Sequence, residues 1–157
     1  EWLQQTIPSW EMRASRAGLR LQVDAPSTLP TLLVDQDFLG QVLANLLDNA
    51  FKFSPRDGVV RVRAWAEPKE TVLAVSDQGV GIPPDKLGKI FERFFQVDGS
   101  STRRFGGMGI GLALCREVVA AHGGRIWAES GGQGQGSTFY VALPLSRASD
   151  RPDLAAA

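Results

Sequence analysis

The chain has 157 residues, room for one domain with a hydrophobic core, and no internal repeat that would make it an array. Its 17 basic and 17 acidic residues cancel, which excludes the basic field that captures nucleic acid or an anionic membrane, so charge points to no polymeric partner. A single cysteine, Cys115, excludes an internal disulfide and a thiolate metal site, and no apolar run reaches the length of a membrane span.

The opening residues, EWLQQTIPSW, lack the charge and apolar stretch of a signal peptide. A cytoplasmic domain without direct membrane contact is expected, whatever anchors its parent protein. Because it starts without Met and ends on the polar, alanine-rich SRASDRPDLAAA, the chain reads as an excised domain, monomeric in isolation, with a flexible tail at 146–157.

In chain order, residues 1–17 carry Trp2, Leu3, Ile7, Trp10 and Ala14 at roughly helical spacing around Pro8. This predicts an irregular or two-part helical lead-in. Residues 19–24 (LRLQVD) alternate as a half-buried strand does, and Leu32 to Val34 reads as a very short partner strand. Asp35 to Pro55, DQDFLGQVLANLLDNAFKFSP, is the most informative stretch. Phe38, Leu39, Val42, Leu43, Leu46, Leu47 and Ala50 recur at spacings of three and four, which predicts a helix with a wide buried face, capped by Asp35 and ended before Pro55. Asn45, Asn49 and Lys52 stand out beside that face. On the wheel, Asn49 lies about 40° and Lys52 about 20° from Asn45, in one stripe about 10 Å long, which suits a polyphosphate. A lone Asn would be a solvated or capping amide; two with a Lys in register favour a ligand-facing stripe.

Val59 to Ala66 and Thr71 to Ser76, separated by EPKE, predict an antiparallel pair. Two glycine clusters, DQGVGIPP and GGMGIG, then flank a charged and aromatic segment, a connection too long to be idle in a compact domain. Gly109 to His122 resumes a helical pattern, and Arg125 to Ser130, GGQGQG and Ser137 to Leu145 form a last hairpin with alternation at Phe139, Val141 and Leu143. Helices mixed with sequential, mostly antiparallel strands predict an α+β two-layer sandwich.

Asp77 follows directly on a strand, within Asp-Gln-Gly-Val-Gly. An ionised carboxylate offers only acceptors, so it suits the exocyclic amine of adenine and repels the carbonyl of guanine. The plain alternative is a strand-end Asp that makes a turn. Gly106 to Gly111 opens a helix, where unhindered amides form an anion site, although a hinge would use the same glycines. Neither G-x-G-x-x-G nor G-x-x-x-x-G-K-[ST] is present, which sets aside the dinucleotide fold and the P-loop.

The order of these pieces carries a family resemblance. N-x-x-x-N-A-x-K, D-x-G-x-G, F-x-x-F, G-G-x-G-x-G-L and G-S-T-F, across Leu19 to Pro144, resemble the N, G1, F, G2 and G3 boxes of the catalytic ATP-binding domain of sensor histidine kinases. The wider superfamily includes DNA gyrase, mismatch-repair and heat-shock chaperone ATPases and has the Bergerat fold, a mixed, mainly antiparallel sheet covered on one face by helices. The resemblance implies an ATP-binding domain at 18–145 with a mobile lid at 82–108, preceded by a connection at 1–17 from missing dimerisation and phosphoacceptor helices. It implies ATP and Mg2+ as cofactors. Asn49 would ligate magnesium, Asn45 would assist at the phosphates and Lys52 would contact phosphate. Asp77 would read adenine, Gly79 and Gly81 would shape its pocket, and Phe53 and Ile82 would wall it. Gly107, Gly109 and Gly111 would bring lid amides to the phosphates, and Thr138 would lie near the base through water. Phe91, Phe94 and Phe95 would belong to the lid, and Arg103 and Arg104 are either γ-phosphate contacts or a solvated pair. Met108 departs from the Thr or Ser usual at its position, a change that backbone-mediated phosphate binding tolerates.

In the superfamily's hydrolases a Glu stands where this chain has Asn45, and an amide cannot act as a general base. Slow water attack is therefore expected, and transfer of the γ-phosphoryl group to a histidine. His122 is the only histidine and lacks the acidic neighbour of the family's acceptor motif, so it reads as structural. The expected partner is a histidine-phosphotransfer and dimerisation domain of the same kinase, with a response regulator acting indirectly. The alternatives are a degenerate nucleotide-binding regulatory module, a serine kinase of the anti-sigma-factor type, or an unrelated sandwich.

Overall fold

The computed structural model describes residues 2–30, 32, 34–92 and 111–145. In chain order these form α1 (Trp2–Arg16), β1 (Arg20–Asp24), α2 (Gln36–Phe53), β2 (Val59–Ala66), β3 (Glu70–Asp77), a 3-10 turn at Pro84–Lys86, α3 (Gly111–Ala121), β4 (Arg125–Glu129) and β5 (Ser137–Pro144). The five strands make one sheet in the order β1-β2-β3-β5-β4. All pairings are antiparallel except β1 with β2, which are parallel because the chain crosses over through α2 between them.

Strand parity decides which side of the sheet is covered. Val60, Val62, Ala64, Leu73, Val75, Phe139, Val141 and Leu143 point inward and cluster with Val42, Leu43, Leu46, Leu47 and Ala50 of α2 and with Cys115 and Val119 of α3. Leu43 and Leu47 are fully buried, and each removes about 1.5–3 kcal/mol of unfavourable hydration. Among the described residues no helix covers the opposite side. Its residues of other parity include Trp65, Tyr140 and Trp127, with Trp127 stacked on Tyr140 at 5.1 Å and Trp65 edge-on to Tyr140 at 6.4 Å. Arg63 and Arg125 lie over the two tryptophans. These rings roof the small residues of the same face, so Ala74 and Ala142 are buried without a third layer.

Asp35 caps α2 as its sequence predicts, accepting from the amides of Asp37 and Phe38. Two other expectations fail. Pro8 does not divide the lead-in: α1 is continuous across it. The carbonyl that Pro8 leaves without a partner belongs to Gln4, on the exposed side, where it is open to solvent. Ile7, Trp10 and Ala14 hold the other side against the core, with Trp10 edge-on to Phe51 of α2. Leu32 and Val34 lie outside any strand and pack as partly buried side chains, since β1 takes its partner from β2 instead.

α2 and α3 are fastened at one end by His122. Its Nε2 accepts the Asp35 amide at 3.3 Å, so its proton sits on Nδ1, which donates to the Val118 carbonyl at 2.8 Å. The ring also meets Phe38 edge-on at 5.9 Å.

Candidate functional site

β3 ends at Asp77, and the chain turns at once. Asp77 Oδ1 accepts the Gly79 amide at 2.8 Å, and Oδ2 accepts the Ser137 hydroxyl at 3.0 Å. Asp77 pairs with Ser137 across the β3–β5 ladder, so this hydroxyl is placed by register rather than by a loop. Burial pushes the Asp77 carboxyl above its usual value, against the opposing pull of Gly79 and Ser137. The result is a largely buried carboxylate, fixed in orientation, whose remaining lone pairs are available to a donor.

Three glycines make this geometry possible. A Cβ on Gly79 would strike the Phe53 carbonyl, one on Gly136 the Asp77 carbonyl, and one on Gly81, at φ +72°, the Gly132 carbonyl. The loop after β3 is therefore wedged between the end of α2 and the loop joining β4 to β5. Gly134 donates to the Val80 carbonyl at 2.8 Å and Gly136 to the Gly79 carbonyl at 3.1 Å. Ser130 completes the lock: its hydroxyl accepts the Ile82 amide at 3.0 Å and donates to the Gly136 carbonyl at 2.7 Å. Gln78 ties the same turn to β2 by accepting the Val59 amide.

On α2, Asn45 and Asn49 are half-buried and Lys52 is exposed, along one side of the helix as the periodicity requires. Phe53, at the last turn, brings its carbonyl against Gly79, and Ile82 is buried beyond it. Gly111 opens α3 directly over Asn45, whose Oδ1 lies 3.0 Å from where a Gly111 Cβ would stand. Phe53, Asp77, Gly79, Gly81 and Ile82 thus meet where the end of α2, the end of β3 and the loop joining β4 to β5 dock, while Asn45, about two turns earlier on α2, meets Gly111 at the start of α3. Gly107, Gly109, Met108, Phe94, Phe95, Arg103 and Arg104 lie outside the described residues.

Thr138 lines the same cleft as Asp77, Ser130 and Ser137. It stands on the uncovered face of the sheet, with its hydroxyl 2.9 Å from that of Ser76, while the hydroxyl that reaches Asp77 belongs to Ser137. Parity is the reason, because Ser137 alternates inward with Phe139 and Val141 and Thr138 alternates outward. Phe91 is buried in the core, edge-on to Phe139 at 6.2 Å, and Ile90 is buried beside it. The first part of the segment expected to form a lid is consequently anchored. Ser130 and Ser137 were not singled out in the sequence; the inward alternation of β5 already marked Ser137, whereas nothing local marks Ser130.

The donor set fits a nucleotide with magnesium. A partly buried, oriented carboxylate beside a glycine-walled turn suits a base with an exocyclic amine, and the amide oxygens and Lys52 suit phosphate and its counter-ion. Among the described residues no group of three or more His, Cys, Asp or Glu could hold a metal. A cation bound through Asn49 would then complete its coordination with phosphate oxygens and water.

Comparison with known proteins agrees with this geometry. The family model for histidine kinase-, DNA gyrase B- and HSP90-like ATPases matches residues 34–147. The chain is 42% identical over 146 residues to the adaptive-response sensory kinase SasA of Synechococcus elongatus, covering 92% of this chain and 37% of that one. It is 45% identical over 113 residues to the sensor histidine kinase WalK of Bacillus subtilis, covering 71% and 18%. The structure of the mycobacterial sensor histidine kinase MprB matches with a TM-score of 0.75 at 32% identity, over 91% of each chain. Full-length ShkA in complex with AMPPNP matches at 0.79 and 34% identity, over 94% of this chain and 30% of that one. The chain thus spans 37% or less of the length of these curated relatives.

Proposed function

Since the chain belongs to the histidine kinase-, DNA gyrase B- and HSP90-like ATPase family, we propose that it binds Mg-ATP and presents the γ-phosphoryl group to a histidine carried by a separate phosphotransfer and dimerisation domain. The observation that carries this reading is Asp77, a partly buried carboxylate at a strand end, aimed by the Gly79 amide and the Ser137 hydroxyl. It accepts from the exocyclic amine of adenine, while the turn at Gly79 and Gly81 lets the base lie close to the backbone. Asn49 offers an amide oxygen to magnesium, and Lys52 offers a positive charge to the phosphates. Magnesium would supply charge neutralisation along the phosphates. This chain's own residues supply position and field, which is most of what phosphoryl transfer needs.

Asn45 stands where the family's hydrolases hold a general base, and an amide takes no proton from water. The nucleophile is therefore one that attacks without first giving up a proton, as a neutral imidazole nitrogen does. His122 is unsuited to the part, because both ring nitrogens are engaged, with Asp35 and with Val118. An acceptor from another domain fits both facts.

The test is calorimetric titration with Mg-ATP and Mg-GTP, followed by incubation with histidine domains of sensor kinases. Binding of ATP in preference to GTP, lost in Asp77→Asn, with labelled phosphohistidine on a supplied domain, is the expected result. ATP binding with no transfer to any such domain would leave a regulatory nucleotide-binding module, and no binding at all would end the reading.

A further inference from the structure

Ser130 follows directly on β4, half-buried, and lines the cleft that holds Asp77. Its oxygen accepts two amides, Ile82 at 3.0 Å and Gly132 at 3.2 Å, and its proton goes to the Gly136 carbonyl at 2.7 Å. A hydroxyl has one proton and two lone pairs, so Ser130 is saturated by main-chain groups and has nothing left to offer a ligand. Its partners nevertheless form the walls of the site. Ile82 is buried and follows Gly81, whose missing Cβ makes room for the Gly132 carbonyl. The Gly136 carbonyl shares one rigid peptide plane with the Ser137 nitrogen, and the Ser137 hydroxyl donates to Asp77 Oδ2 at 3.0 Å. Gly136 itself has no space for a Cβ against the Asp77 carbonyl.

We propose that Ser130 is a positioning residue for base recognition: by tying the Ile82 amide to the Gly136 carbonyl through one oxygen, it sets the spacing between the wall at Ile82 and the carboxylate of Asp77. The inference rests on the reading that assigns the base to Asp77. It adds that discrimination between bases depends on a side chain that touches none of them. Without the hydroxyl the Gly136 carbonyl loses its donor, the peptide between Gly136 and Ser137 is free to tilt, and Ser137 loses its aim at Asp77. Discrimination should suffer before phosphate binding does. The hydrogen bonds of Ser130 run to the two loops, whereas Asn49 and Lys52 stand on α2.

The experiment compares the parent chain with Ser130→Ala, which deletes the hydroxyl, and Ser130→Thr, which keeps it. Ser130→Cys, a weak donor of similar size, takes the place of Ser130→Ala if that variant does not fold. In calorimetric titrations of Ser130→Ala, affinity for Mg-ATP should fall about 5- to 10-fold, the loss of about one hydrogen bond, while that for Mg-GTP changes less than about twofold. Ser130→Thr should return the ratio of the two to within about twofold of the parent. A second readout needs no nucleotide. Burial raises the Asp77 carboxyl and the Ser137 hydroxyl lowers it, so in Ser130→Ala its titration, followed by carboxyl 13C NMR, should move to higher pH and in Ser130→Thr return. Asp77→Asn identifies the signal by its loss, which separates it from Glu129 in the same cleft. Where the parent binds ATP, an unchanged ATP-to-GTP ratio in Ser130→Ala overturns the proposal, as do equal losses for both nucleotides that follow thermal stability. Where the parent binds neither, the proposed function falls, and the Asp77 titration alone decides whether Ser130 positions the carboxylate.

Discussion

Around Asp77 nearly every contact is fixed in the folded chain: both carboxylate oxygens have donors, and Gly79, Gly134 and Gly136 interlock the two loops through backbone hydrogen bonds. Along α2, by contrast, Asn49 is half-buried and Lys52 exposed, and the side chains rather than the backbone carry the chemistry. The first region is built before any ligand arrives, so its recognition costs little ordering. The second holds long polar side chains whose order is gained on binding. Substitutions of the interlocking glycines should therefore act on fold and affinity together, and substitutions in the second region on affinity alone.

The strongest break is Gly81→Ala, which combines a positive φ with a clash against the Gly132 carbonyl. It should cost roughly 2–4 kcal/mol of unfolding free energy in urea titrations and abolish ATP binding. Asp77→Asn comes next and separates the two properties. ATP affinity should drop at least about 100-fold, because a donor replaces an acceptor in a buried site. The apo protein should melt no lower and gain up to about 1 kcal/mol near neutral pH, since a costly buried charge is gone. Ser137→Ala removes one donor from the carboxylate and should lower affinity about 5-fold by calorimetry. Lys52→Ala should lower affinity by a similar or smaller factor, shrink its salt dependence, and leave the melting temperature unchanged, because exposed charges contribute little to folding.

A pH series sharpens the same contrast with opposite signs. The folded Asp77 pKa is raised, so its contribution to apo stability is fullest below the unfolded carboxylate pKa and is lost as pH rises through the folded one. ATP affinity should move the other way, falling as acid protonates Asp77, and the fall should begin nearer neutrality than for an ordinary aspartate. Asp77→Asn should flatten both curves.

Much of this was legible in the chain. α2 declared itself by periodicity and cap, and the β2–β3 pair by alternation, because each depends on neighbours within a few residues. The parallel β1–β2 pairing was not, since it is set by a crossover spanning α2. Pro8 misled because local propensity was outweighed by the apolar face of α1. At β5 the motif indicated the strand, while the face on which each hydroxyl stands follows only from counting inward from Phe139. Ser130 needed the tertiary fold, as its partners at Ile82 and Gly136 meet only when the two loops dock.

Where that docking is made by backbone alone, the side chains have little to do. Val80 contributes its carbonyl to Gly134 while its side chain is 59% exposed, and Gln133 is exposed at the tip of the opposing loop. Position 80 or 133 is accordingly a place to attach a fluorophore or a cross-linker a few residues from Asp77 without disturbing the carboxylate, giving a direct optical reporter of what approaches it.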